Sequence, residues 1–310
     1  RFWAAEAMHN KRNVLVVDLD CSLIRSDMLH ETFWSAFSLN WKIFLRVFFL
    51  IFVSRLKLKD YLYRKSDVDV TTLPYNEKVM AIIRARRAKG YKIVLATATH
   101  HQLAEKIAAH LGLFDDVHGS DQTNLKGQQK ADVILNAYPG AVIEYIGDNA
   151  TDLQLWQQSD RAISVDAGPR LRRQIENIGI AFEHLDTAPK TFLSLIKSLR
   201  LYQWSKNTLV FVPMISSHQF TLEVFLHSIM AFFSFGMIAS CMYIFNDLCD
   251  LKSDRVHDRK KNRPFASGLA KIDQGLFLGL GMGLSGLVLA SFVSIQFFPF
   301  NRKKNIIFFY

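Results

Sequence analysis

The sequence predicts an α/β domain, a parallel sheet covered on both faces and carrying a helical cap, followed by an all-α transmembrane helical segment. Three observations carry this prediction. Short apolar, β-branched runs alternate with helical stretches up to about residue 185, the pattern of a parallel sheet with helices on both faces. Beyond that point, residues 224–246 and 274–301 run 23 and 28 residues without a formal charge, long enough to cross a bilayer. The charge divides at the same place. Residues 1–189 hold 24 Lys/Arg against 22 Asp/Glu, whereas residues 190–310 hold 14 against 6.

A basic excess that coincides with long apolar runs points to membrane segments with basic cytoplasmic loops. It argues against nucleic acid as a partner, because the aromatic residues fall inside the apolar runs. The three cysteines, Cys21, Cys241 and Cys249, form no metal-type pair and suit a reduced, cytoplasmic setting. Residues 1–13 are too polar for a signal peptide, and an opening Arg1 leads us to expect a chain incomplete at its front.

In chain order, residues 14–17 form an unbroken apolar run that ends in Asp18 and Asp20. Such a run fits a strand buried on both faces, delivering two acids to its carboxyl end. Residues 33–62 are rich in large apolar side chains and read as part of a helical cap over about 27–75. Within it, residues 43–53 are too short to span a bilayer; the reading favours packing over the active site, with a membrane-touching face as the alternative. Helices are expected at 76–88, with Gly90 to end it, and at 101–111, 130–137, 152–158 and 169–178, the last with Pro at its start. Strands are expected at 92–96, 141–146 and 162–165. Residues 180–190 read as a linker, and 191–201 as an amphipathic helix suited to a membrane interface. A first, weak span is expected over 207–222, making about three transmembrane helices. Gly275, Gly279 and Gly283 recur every four residues, which clears one helix face for close packing.

Four pieces then meet at strand or helix ends: Asp18 and Asp20; Thr97, with Thr99 as its rival; Lys130, with Lys126 as its rival; and Asp148 and Asp152 in a Gly-Asp-x-x-x-Asp run. Phosphoryl transfer needs these types. A carboxylate serves as nucleophile, a second carboxyl group moves the proton, and a hydroxyl and an ammonium neutralise phosphoryl oxygens. Oxygen ligands suit Mg²⁺. Over residues 13–180 this arrangement resembles the haloacid dehalogenase-like phosphatases. The resemblance implies a Rossmann-like fold, with Asp18 as nucleophile and metal ligand and Asp20 as general acid/base with its carbonyl on the metal. It further implies Thr97 and Lys130 as phosphate-binding residues, and Asp148 and Asp152 as further Mg²⁺ ligands. Ser22 stands where that family usually has Thr.

A second constellation follows the 23-residue run: Asn246, Asp247, Asp250 and Asp254, with a basic loop after them. If the helix continues, residues 246, 250 and 254 share a face, and three carboxylates at a helix end call for a compensating cation. The stretch Asn246-Asp247-x-x-Asp250-x-x-x-Asp254, followed by Arg263-Pro264-x-Ala266-Ser267-Gly268 and preceded by Gln203-Trp204-Ser205-Lys206-Asn207, is similar to the first aspartate-rich region of UbiA-type intramembrane prenyltransferases. The Gln-Trp-x-Lys-Asn form and His257 lean toward the branch that makes decaprenyl-phosphate phosphoribose. The resemblance implies Mg²⁺ held by Asn246, Asp247, Asp250 and Asp254, phosphate contacts from Lys206 and Arg263, and a polyprenyl (di)phosphate lipid as substrate. No second aspartate-rich region follows, so a transferase truncated at its carboxyl end is expected.

Together these readings give a membrane-bound prenyltransferase, for polyprenyl or polyprenyl-phosphate/phosphoribosyl transfer, fused behind a Mg²⁺-dependent phosphatase for a phosphorylated small molecule. The expected location is the bacterial inner membrane with the N-terminal domain (1–185) cytoplasmic, a linker over 186–206 and the transferase part over 207–310. The alternatives are an aromatic, quinone-type prenyltransferase with an independent phosphatase, and a non-catalytic membrane-anchored remnant.

Overall fold

A computed structural model describes residues 12–121, 123–187, 191–218 and 220–304, with side chains described up to residue 293 and not at residue 191. The expectations for residues 1–11 and for the charged tail after residue 293 lie outside these described side chains. The chain divides into two compact units. The first comprises the described residues of 1–189 together with Leu251–Asn262 and Ala266–Leu269. The second comprises those of 190–250, Arg263–Phe265 and 270–310.

The first unit is built on six parallel strands in the order β3-β2-β1-β4-β5-β6: β1 (Asn13–Val17), β2 (Lys92–His100), β3 (Asp116–Ser120), β4 (Val142–Gly147), β5 (Arg161–Val165) and β6 (Ala181–Leu185). In β1, Leu15 and Val17 pack into one apolar layer with Val79, Ile83, Leu103 and Ile107. Val14 and Val16 pack into the other with Ile134, Tyr145, Trp156 and Ile175. Side-chain alternation on a two-faced strand explains the unbroken apolar run. Strand order runs outward from β1 in both directions, so the carboxyl end of β1 is the switch point where such sheets bind ligands.

The cap leaves and rejoins the sheet through a paired neck. Arg25 N donates to Pro74 O and Asn76 N to Leu23 O, and Ile24 bridges Tyr75. Between them lie α1 (Met28–Leu39), α2 (Ile43–Val53) and α3 (Arg55–Lys65). Ile43 and Val47 of α2 join Ala36, Leu58 and Leu62 in a small core. Most of the remaining α2 side chains are exposed, so simple packing accounts for one side of this helix alone. The sheet's remaining helices are α4 (Glu77–Ala88), α5 (His101–Leu111), α6 (Gln128–Ala137), α7 (Leu153–Trp156) and α8 (Pro169–Glu176).

Two strands differ from the sequence expectation. β3 falls in a stretch to which no element was assigned, and β6 in the expected linker. Both are outermost strands with polar or exposed residues, and an edge strand needs no apolar alternation to pair.

The second unit contains α9 (Thr191–Ser198), a 3-10 helix over Leu201–Phe211, α10 (Val212–Ser216), α11 (Leu222–Cys249) and, beyond the α12 segment (Leu251–Val256) of the first unit, α13 (Ile272–Lys304). Among the described residues two helices are long and apolar enough to cross a membrane, Leu222–Cys249 and Ile272–Val293, with mean hydropathies of 1.8 and 2.1. The span expected over 207–222 is instead broken. Pro213 allows only a helix start, and the chain turns at His218, whose φ is +53°. The glycine stripe does face a helix: a Cβ on Gly279 would meet Ile244, and one on Gly283 would lie 2.9 Å from the Cys241 Sγ of α11. Ser234 Oγ donates to Gly286 O at 2.8 Å across the same contact.

Candidate active site

β1 ends at Val17, and the chain then folds into a tight turn over Leu19–Leu23, with Cys21 at φ +55°. This turn leaves Asp18 at the strand end and points Asp20 toward α1. Asp20 Oδ1 accepts from Met28 N at 2.7 Å, at the amino end of α1, where a helix favours negative charge. Its Oδ2 accepts from Thr99 Oγ1 at 2.9 Å and from Thr97 Oγ1 at 3.4 Å. Thr97 Oγ1 itself accepts from Thr99 N at 3.0 Å. Both threonines therefore reach the site, because β2 runs on to His100 with a register shift after Ala96.

Lys130, buried near the start of α6, donates to Asp18 Oδ1 at 2.8 Å and to Tyr145 Oη at 3.0 Å, and lies 3.6 Å from Asp152 Oδ1. Lys126 is exposed. Burial opposes the charge on Lys130, yet Asp18 and Asp152 hold its pKa above the ordinary lysine value. Tyr145 donates to Asp152 Oδ1 at 2.6 Å. Asp152 Oδ2 in turn accepts from Asp148 N and Asn149 N at 3.2 and 3.0 Å, an Asx-type capping box at the end of β4. Gly147 is required there: a Cβ would lie 2.6 Å from Asp152 Oδ2.

Among the described residues, Asp18, Asp148 and Asp152 form the group of carboxylates close enough to share one cation, with ligand atoms within 4.8 Å of one another. Three carboxylate oxygens suit a hard cation such as Mg²⁺. Burial, with Asp152 adding to it, raises the Asp18 pKa to about 6 against the opposing pull of Lys130. Burial, then Asp27 and Asp18, raise Asp20 to about 7.

Sequence reasoning missed Tyr145 and Lys59. Lys59, on cap helix α3, donates to Ala98 O at 2.5 Å and to Asn124 Oδ1 at 2.7 Å. The charges of Asp20 and Asp27 act on it. A lysine in a basic cap stretch carries no local sequence signal; only the fold of the cap over the sheet brings it here.

The second constellation is divided differently from its expectation. The helix ends at Asp250, whose φ and ψ are −95° and 9°, so residues 246, 250 and 254 do not continue along one helix face. In the second unit, Asn246 Nδ2 donates to Asp250 Oδ2 at 3.0 Å. Asp247 is buried and receives Arg200 at 2.5 Å and Arg263 at 3.1 Å. Arg263 comes from the basic loop expected to supply a cation; Arg200 has no such signal in the sequence. Lys206 is exposed on the 3-10 helix. Asp254 belongs to the first unit, is fully buried and has Lys260 at 3.8 Å.

Comparison with known proteins agrees with this division. Residues 15–157 match the haloacid dehalogenase-like hydrolase family and residues 208–300 the UbiA prenyltransferase family. An uncharacterised protein of Sinorhizobium fredii is 35% identical over 91% of this chain and 55% of its own length. A decaprenyl-phosphate phosphoribosyltransferase of Corynebacterium glutamicum is 33% identical over 30% of this chain and 28% of its own. The chain thus spans about half the length of the first relative and less of the second. A solved substrate complex of phosphoserine phosphatase is similar at 15% identity, with TM-score 0.41, over 57% of this chain and 95% of that one. The chain therefore joins a haloacid dehalogenase-like domain, at its amino end, to a domain of the UbiA prenyltransferase family.

Proposed function

We propose that the first unit hydrolyses phosphate monoesters through an aspartyl-phosphate on Asp18, and that the second is part of a transferase for polyprenyl phosphate lipids. The observation that carries the first part is Lys130 bonded to Asp18 beside two further carboxylates. Mg²⁺ held by Asp18, Asp148 and Asp152 would neutralise phosphoryl oxygens and orient the ester. Both oxygens of Asp152 also accept hydrogen bonds, from Tyr145 Oη and from Asp148 N and Asn149 N, which hold that carboxylate beside Asp18.

In the first step an Asp18 oxygen attacks phosphorus and the ester P–O bond breaks. Asp20 gives its proton to the leaving oxygen, a role suited to a carboxyl raised to about 7. In the second step Asp20 takes a proton from water as that water attacks the acyl phosphate, releasing inorganic phosphate and restoring Asp18. Thr97, Thr99 and Lys130 supply donors for the phosphoryl oxygens.

The transferase part rests on the UbiA match and on the relatives named decaprenyl-phosphate phosphoribosyltransferase. Joining a polyprenyl phosphate to a phosphoribosyl donor leaves a phosphate monoester on the sugar, which the Asp18 site would remove. Location at a bacterial inner membrane with the first unit cytoplasmic follows from this reading. The test is phosphate release from polyprenyl-phosphate phosphoribose by the detergent-purified chain with Mg²⁺. Release that Asp18→Asn abolishes is expected; release unaffected by that change, or none from any phosphate monoester, overturns the hydrolase reading.

A further inference from the structure

Helix α2 presents an apolar face that nothing among the described residues of the first unit covers. Ile43 and Val47, each 5% exposed, turn inward to the cap core. Phe44, Leu45, Phe48, Phe49, Ile51 and Phe52 turn outward, with Phe49 at 69% and Phe52 at 76% exposure. A contiguous exposed patch of this kind marks an interaction site.

We propose that α2 is an interfacial helix that inserts this face into the acyl region of an anionic phospholipid bilayer. Three features select lipid. The helix has 11 residues, about 16 Å at 1.5 Å per residue, which suits lying in the interface plane and not crossing it. The surrounding charge is of one sign: residues 32–59 hold Lys42, Arg46, Arg55, Lys57 and Lys59 and no Asp or Glu. Lys42, Arg46, Arg55 and Lys57 are exposed, so their long stems can lie along the apolar face while their charged ends meet headgroup phosphates. Trp41, exposed at the start of the helix, is a residue type enriched at headgroup level.

The chain also supplies the membrane. Two apolar helices on the same polypeptide keep the first unit tethered beside a bilayer, where a short chain raises effective concentration. A second copy of this chain fits less well, since a two-fold contact would set the same cations against one another.

The consequence reaches the site, because α2 packs on α3, which delivers Lys59 to it. Insertion would hold the cap at the lipid surface, where phosphorylated lipid headgroups are concentrated.

The experiment uses the unaltered chain in vesicles of phosphatidylcholine and phosphatidylglycerol bearing a diazirine in the acyl chain. After irradiation, cross-linked peptides are mapped by mass spectrometry, with the exposed end of α4 around Lys89 as the control. Lipid adducts on residues 44–53 and none around Lys89 are expected, with the α2 yield falling at least about fivefold when phosphatidylglycerol is omitted. The double change Phe49→Asp with Phe52→Asp, at exposed positions, should abolish the α2 adducts without changing turnover of a soluble phosphate monoester. Adducts confined to residues 212–293, or chain-to-chain cross-links through α2 independent of lipid, would overturn the proposal; equal α2 yield on neutral vesicles overturns the anionic preference.

Discussion

Lys130 stands between Asp18 and Asp152 at 2.8 and 3.6 Å, and three buried charged side chains balance only while all are present. Lys130→Met leaves two carboxylates facing each other. We expect a loss of phosphatase kcat of about 10²–10³-fold and, without Mg²⁺, a stability loss of about 3–5 kcal/mol in urea unfolding. Asp20→Asn keeps the contact with Met28 N but removes the proton donor. Turnover should fall about 10²–10⁴-fold, more for alkyl than for nitrophenyl esters, because a good leaving group needs less protonation. The same carboxyls set a pH dependence. Burial raises Asp18 to about 6 and Asp20 to about 7 from 3.8, so between about pH 4 and 7 the folded chain binds more protons than the unfolded one. Stability of the metal-free protein should therefore fall as pH rises through that window. Urea unfolding across pH should show this slope, and the Asp18→Asn, Asp20→Asn double variant should flatten it. The positions of Asp18, Asp20 and Lys130 were legible as residue types at strand and helix ends. Tyr145 and Lys59 were not, since their part depends on which distant segments the fold brings together.

At the scale of elements, legibility followed burial. β1 announced itself because both faces are covered, whereas β3 and β6 are polar outer strands, the one left without an element and the other read as a linker. The end of α11 at Asp250 also escaped the sequence, because the apolar run and the aspartates that follow allow a continuing helix. The glycine stripe was legible and extends further than its four-residue period, to Gly286. There an added Cβ would meet Ser234 O at 3.0 Å and Ile238 N at 3.2 Å, and backbone atoms cannot step aside as a side-chain tip can. Gly286→Leu should destabilise the α11–α13 pair by about 1–3 kcal/mol, seen as a lower thermal transition in detergent. Gly281 has nothing within 4 Å of its Cβ position, so Gly281→Ala should leave the pair unharmed or stabilise it by about 0.5–1 kcal/mol.

At the scale of the molecule, the phosphatase unit is completed by chain from beyond the first membrane-length helix. Leu251–Asn262 and Ala266–Leu269 belong to it, and Arg255 is their anchor. Its guanidinium donates to both oxygens of Glu31, at 3.0 and 2.6 Å, and to Ala266 O at 3.0 Å. Arg255 and Glu31 are 6% and 3% exposed at their side chains. Glu31 lies in the first turn of α1, the helix whose amino end holds Asp20. A residue directly after the aspartate-rich run thus bonds to the helix whose amino end holds Asp20, which neither motif alone could have indicated. A buried pair broken from one side leaves an unpaired charge, so Arg255→Met should cost the first unit about 3–5 kcal/mol. Removing both charges, Glu31→Leu with Arg255→Met, should recover most of that loss, because desolvation is then relieved on both sides. Urea unfolding of the four chains of this cycle measures the coupling. If Arg255 also positions Asp20, the double variant should fold stably yet turn over phosphate esters more slowly, with the alkaline limb of its pH–rate profile displaced; an unchanged profile would confine the pair to holding the strap in place.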